Sequence, residues 1–404
     1  MSHKKANSGF IKSPETSVPG RNLCKIAGIC ILIVSLFALS VSCKQDSIFA
    51  DIAVEPPPVK PKIPGTPVDI VVCNDTVYMS SIGSSTIYCY KNQTWDTLKL
   101  SNKDRIAGLA SSGADSSGEL YALVYTDDRI ATNLKKYNWS TGKWVKMGIG
   151  DAASHSLQSL YSAGGKIFAG GRENRAWNVF YLDDANKLTL LVSDTAPLTG
   201  AAFDTDYFIS TGGKGIYLAA DLSIPPVAPV AGSEDKNVTG IINVNGKITA
   251  VTRAGDILAY DGSEFESLFS DGPSFTGAMT IWKSYEGSQW KDTLLLLGVQ
   301  TTGYKDKGYR EMILDSSSQP QKIKPIEPGI LPSSIKPADL SKYEASLARH
   351  SVHYMLQVPD EVDPYPRNSS NKIKDPKGWE PLIFAATTKD GIFVLKKGVW
   401  NAQD

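Results

Sequence analysis

The chain has four histidines, and only His350 and His353 fall close together. A helix offers two metal ligands to one ion at i,i+4, and a strand offers them at i,i+2. A spacing of three, where a helical stretch gives way to a strand, suits neither. No cysteine or carboxylate trio accompanies the pair, which is read as capping or packing. His155 lies between strands, with no serine or cysteine partner visible. No G-x-S-x-G, no P-loop and no G-x-G-x-x-G in a βαβ setting occurs. Asp127-Asp128, Asp183-Asp184 and Asp204 with Asp206 fall in tight turns, where aspartate serves backbone hydrogen bonds rather than acid–base work. Asp360, Glu361 and Asp363 carry the charge to chelate calcium, but Pro359 and Pro364 interrupt them and the EF-hand spacing is missing. No catalytic residue, metal site or cofactor is expected. One pattern stands out. Arg129, Arg172, Lys214, Arg253 and Lys389 each follow the second strand of a repeated unit. Five cations on one rim would suit an anionic partner such as a glycan, a phosphate-bearing polymer or an acidic protein. Asp127, Asp128, Glu173, Asp256 and Asp390 lie alongside and can cancel that field, leaving ordinary solvated turns.

The unit that positions these turns is a run of short strands. A short apolar strand with a small residue in third place recurs at Gly108, Ser159, Gly200, Gly240 and Gly277, spaced by 51, 41, 40 and 37 residues. Strands repeating at about 40–50 residues, without helices, are the pattern of propeller blades. Within each unit a second strand follows (120–125, 166–170, 207–211, 247–252, 293–299), then a third (134–138, 178–182, 215–220, 256–260, 309–314), then a more polar fourth. The segments 68–100 and 352–400 repeat this grammar at the two ends. The expectation is an all-β, seven-bladed propeller of four-stranded antiparallel blades over 68–404, with six or eight blades as the nearest alternatives.

The small residue has a physical reason. First strands converge on the central channel, where glycine or serine lets neighbouring backbones approach. Middle strands are covered on both faces, so Leu294–Leu297 reads as one continuous apolar run. Cys73 then falls on a first strand and Cys89 on a third. Strands two apart are roughly 9–10 Å from each other, too far for a disulfide. Both thiols are expected free.

One unit carries a closer likeness. Lys166-Ile167-Phe168-Ala169-Gly170-Gly171, followed by Trp177–Tyr181, resembles a kelch repeat, and Tyr137–Trp144 resembles the kelch turn before the fourth strand. At the end of a second strand the double glycine recurs only at Gly212-Gly213. The resemblance implies a fold and no activity. Two insertions interrupt the pattern. Residues 316–350 hold five prolines and a helical stretch at 338–349, and 359–379 splits the last unit.

The N-terminus is a targeting segment. Basic residues precede a 16-residue apolar run, Ile26–Val41, shorter than the roughly 20 a membrane-spanning helix needs. It ends Leu39-Ser40-Val41-Ser42-Cys43, which resembles the lipobox of bacterial lipoproteins in a relaxed, spirochaete-like form. The resemblance implies cleavage after Ser42, lipid on Cys43, and anchoring to a membrane on its periplasmic or outer-surface face. Residues 43–67 contain six prolines and read as a semi-rigid spacer between that anchor and the propeller.

Composition fits this reading. The 42 basic and 42 acidic residues balance, which gives no electrostatic footprint for nucleic acid. The function expected is a monomeric, lipid-anchored binding or assembly scaffold at the cell envelope, with an envelope protein or anionic glycan as partner. The alternative is a propeller hydrolase or lyase working in the channel. It would need two acids, or an acid with a histidine, at the channel mouth, where the first strands offer mostly apolar and small residues. A quinoprotein is a weaker third, because its tryptophan-docking repeats are not evident.

Overall fold

The computed structural model describes residues 63–402, apart from 64, 114–116, 127–131, 174, 194, 196, 245, 271, 287–288, 301–307, 316–321, 326–346, 348–349, 360–381, 389–390 and 397–398. Cys43, Arg129, Lys389, most of the spacer, the expected helix at 338–349 apart from Leu347, and most of the 359–379 insertion lie outside the described residues.

Residues 67–402 form seven antiparallel sheets, each an up-and-down meander in sequence order. The first strands are Pro67–Cys73, Asp104–Ser111, Ser156–Ala163, Pro197–Phe203, Val238–Val244, Phe275–Glu286 and Val352–Gln357. Each packs beside the next, and the seventh packs beside the first, so the ring is closed. This is the seven-bladed propeller expected. Most strands lie within a residue or two of their expected places. The second strand of blade six starts earlier, at Gln289, and that of blade seven starts later, at Ile383.

Blade four departs from the four-stranded plan. After Gly215–Ala219 the chain makes only isolated bridges, Tyr217 to Pro229 and Gly212 to Asn237, where a fourth strand was expected. Pro225, Pro226 and Pro229 have no N–H to give to a ladder.

The apolar core is divided into seven slabs, one between each pair of neighbouring blades. Blade six shows why the middle strands are apolar on both faces. Leu294 and Leu296 enter the slab shared with blade seven, while Leu295 and Leu297 enter the slab shared with blade five. Strand alternation sends successive side chains to opposite neighbours. Blade seven does the same at the closure. Phe384 and Ala386 pack on Val77, Met79 and Tyr90 of blade one, whereas Ile383 and Ala385 face blade six. Truncating a fully buried side chain such as Phe384 costs about 3–5 kcal/mol.

Hydroxyls tie the blades at the centre. Thr239 Oγ1 donates to the Phe275 carbonyl of blade six at 3.1 Å, and Thr276 Oγ1 donates to the Val352 carbonyl of blade seven. The expected reason for glycine holds here. A Cβ on Gly240 would stand 2.6 Å from Gly277 O, and one on Gly277, whose φ is +100°, would stand 2.1 Å from Thr239 O. Cys73 and Cys89 are buried and form no disulfide, as expected, and burial pushes the Cys89 thiol up to about 12.

Candidate central-channel site

The first strands surround a cavity of about 760 Å³ to which all seven blades contribute. Its geometry is set by an irregularity that recurs in every blade. The pairing of first to second strand skips Val68, Ala107, Gln158, position 198, Thr239 and His353 in blades one to five and seven, and is broken across 276–278 in blade six. A bulge leaves one residue out of the ladder and re-aims its neighbours. The residues just after the bulge therefore occupy equivalent positions around the ring: Asp69, Gly108, Ser159, Thr199, Gly240 and Tyr354. In blade four this register falls on Thr199, one residue before the glycine picked out from sequence.

Two of these positions carry more than packing. Asp69 lines the cavity and is partly buried. Its Oδ1 accepts the Ile70 backbone N–H at 2.9 Å, and among the described residues no cation is ion-paired with it. The surrounding walls push its pKa up to about 8, and the single backbone hydrogen bond only partly opposes them. Tyr354, on the adjoining blade, is held above the usual phenol range by burial and by the nearby Asp69 carboxyl. His353, the bulged residue beside it, is held below the imidazole range by desolvation and then by the charge of Arg253.

Arg253 lies at the end of the channel where the first strands begin. Its backbone N–H donates to Asn237 O at 2.9 Å, which fixes the turn. Its guanidinium is exposed, lines the cavity, and has no ion-paired carboxylate among the described residues. The other cations picked out from sequence behave differently. Arg172 lies over the Trp177 ring, 5.8 Å from its centroid, and Lys214 is exposed in the turn between two strands of blade four. Neither lines the channel. Of the described cations in that set, only Arg253 reaches it.

The histidines separate. The His350 ring packs against Phe393, with centroids 4.9 Å apart, while His353 opens on the channel. His155 has more company than the sequence suggested. Its Nε2 lies 2.7 Å from Asn178 Nδ2 and 3.7 Å from Glu173 Oε2, its Nδ1 is 3.3 Å from Ser154 Oγ, and its ring meets Phe180 edge-on. Asp183 does the turn work expected of it, accepting from the Lys187 N–H at 2.8 Å and the Thr189 hydroxyl at 3.0 Å. Asp69, His353 and Tyr354 correct the expectation that first strands offer mostly apolar and small residues. Aligning the first strands on their bulges would have exposed Asp69, because the same place holds glycine in blades two and five.

Fold and channel together define a seven-bladed β-propeller. No family model matches the chain, and no curated protein resembles it in sequence. Similar solved structures include a chain of the mitotic checkpoint complex, at 10% identity and TM-score 0.52, with 99% of each chain covered. YCF48 bound to D1 peptide aligns at 10% identity and TM-score 0.49, over 86% of this chain and 96% of that one. The Dos1 propeller aligns at 12% identity and TM-score 0.43 over 57% of this chain, which spans 65% of the Dos1 chain's length. At such identities the shared property is the fold.

Proposed function

We propose that this chain is a lipid-anchored, exported propeller that serves as a non-catalytic binding scaffold at the cell envelope. The observation that supports the binding role is the channel. A closed ring holds polar and charged groups from several blades around one cavity of about 760 Å³, within the 300–1,000 Å³ usual for ligand sites. The same architecture stands within an assembly in the mitotic checkpoint complex. Anchoring rests on the sequence around Cys43 and on the proline-rich spacer that follows it. Two measurements test the proposal. Metabolic labelling with a radioactive fatty acid should mark the wild type and leave Cys43→Ala unlabelled, and equal label in both would refute anchoring. Cross-linking in intact cells should then capture an envelope component on the wild-type propeller, and a chain that captures none fails as a scaffold.

A hydrolase or lyase working in the channel is the second reading. It is favoured by one observation: an acid and a histidine, Asp69 and His353, line the same cavity. An acid titrating near 8 falls in the range useful for proton transfer at neutral pH.

A further inference from the structure

The channel holds an acid and a guanidinium that are not ion-paired with each other. Asp69 comes from blade one and Arg253 from blade five, both line the cavity, and no ion pair joins them. Each lacks an ion-pair partner among the described residues. Tyr354 of blade seven senses the Asp69 charge, and its neighbour His353 senses that of Arg253. One cavity thus presents a carboxyl from blade one, a phenol and an imidazole from blade seven, and a guanidinium from blade five.

A carboxyl flanked by protein prefers a cation, and a guanidinium fork fits a carboxylate with two parallel hydrogen bonds. A ligand with only one charge would satisfy one end and leave the other unpaired, whereas a dipolar ligand satisfies both. We infer that the central channel binds a small zwitterion, an amino acid or short peptide, with its ammonium on Asp69 and its carboxylate on Arg253. A cavity of about 760 Å³ has room for such a molecule. The inference rests on the binding role proposed above and adds the class of ligand.

Binding carries a proton signature. The titratable or charged groups lining the cavity with Asp69 are Tyr161 of blade three, Arg253 of blade five, and His353 and Tyr354 of blade seven. On adjoining blade two, Asp104 is already paired with Lys135. With Asp69 titrating near 8, its carboxyl is mostly protonated at pH 7 in the empty channel. An ammonium favours the ionised form, so a proton leaves as the ligand enters.

The test is calorimetric titration of the detergent-solubilised full-length chain with alanine, alanylalanine, N-acetyl-alanylalanine and alanylalanine amide. The expected result is binding of the free zwitterions, with alanine against alanylalanine showing which length is preferred. Loss of tenfold or more in affinity should follow acetylation or amidation. Asp69→Asn should weaken alanylalanine tenfold or more and leave the acetylated form unchanged. Arg253→Gln should do the same for the free acid and leave the amide unchanged. At pH 7 the measured heat should vary with the ionisation enthalpy of the buffer. No binding of either zwitterion at millimolar concentration overturns the inference, as does equal binding of all four probes. A circular-dichroism melt of each variant separates lost binding from lost folding. Cleavage of alanylalanine during the titration would uphold the ligand class and overturn the non-catalytic role, so the two proposals fail separately.

Discussion

The two sides of the channel use the same backbone irregularity differently. In blades five and six the bulge region reads Thr239-Gly240 and Thr276-Gly277. The threonine hydroxyls reach the neighbouring blade's carbonyl, and the glycines let backbones meet at distances no Cβ would tolerate. In blades seven and one the corresponding residues are His353-Tyr354 and Val68-Asp69, and they open on the cavity. Both sides line the cavity, but the bulges of blades five and six tie neighbouring blades together, while those of blades seven and one present titratable groups. A recurring bulge thus supplies positions equivalent in backbone but free to differ in role, and Arg253 reaches the same cavity from a turn of blade five.

The largest effect should come from breaking the closing wall. Gly277→Ala combines a left-handed backbone with a contact of 2.1 Å to Thr239 O, and should destabilise the chain by about 3 kcal/mol or more in urea unfolding. Gly108→Ala, on the other side of the ring, has its nearest contact with Leu160 Cβ at 3.2 Å and should cost clearly less. Equal losses would remove the distinction between the walls.

The next effect belongs to the displaying wall. The folded pKa of Asp69 is raised above its unfolded value of 3.8 to about 8. Between those values the native state binds more protons than the unfolded chain, so this group makes stability fall as pH rises from about 4 to 8. Asp69→Asn removes that contribution. Thermal melts across this window should therefore show the variant gaining on the wild type as pH rises. A constant difference would mean that Asp69 ionises freely in the channel.

Smaller again is Thr239→Val, which keeps the shape and deletes the hydroxyl. Loss of the bond to Phe275 O should cost about 1 kcal/mol and leave zwitterion binding intact. Reduced binding without reduced stability would show that the two walls are not separate.

Legibility differed between fold and site for a physical reason. Leu294–Leu297 and the Gly240 and Gly277 markers announce burial on both faces and close approach, because strand alternation and backbone sterics are local rules. The missing fourth strand of blade four was also written locally, in Pro225, Pro226 and Pro229, although it was not read there. Asp69 was different. On its own strand it is one polar residue among valines and isoleucines, in a run that alternation alone does not mark as a site. The rim cations Arg129, Arg172, Lys214, Arg253 and Lys389 look equivalent in sequence, yet among the described ones Arg172 lies over Trp177 while Arg253 lines the cavity.

The sequence by itself determined the repeat, the all-β class and the both-face burial of the middle strands, since each follows from patterns within one unit of about 40–50 residues. The tertiary structure alone decided that Asp69, His353, Tyr354 and Arg253 share one cavity. Their positions span 285 residues of chain, from 69 to 353. They meet because seven bulges keep the first strands in register and because blade seven packs on blade one, and both conditions depend on contacts between blades that no single repeat encodes.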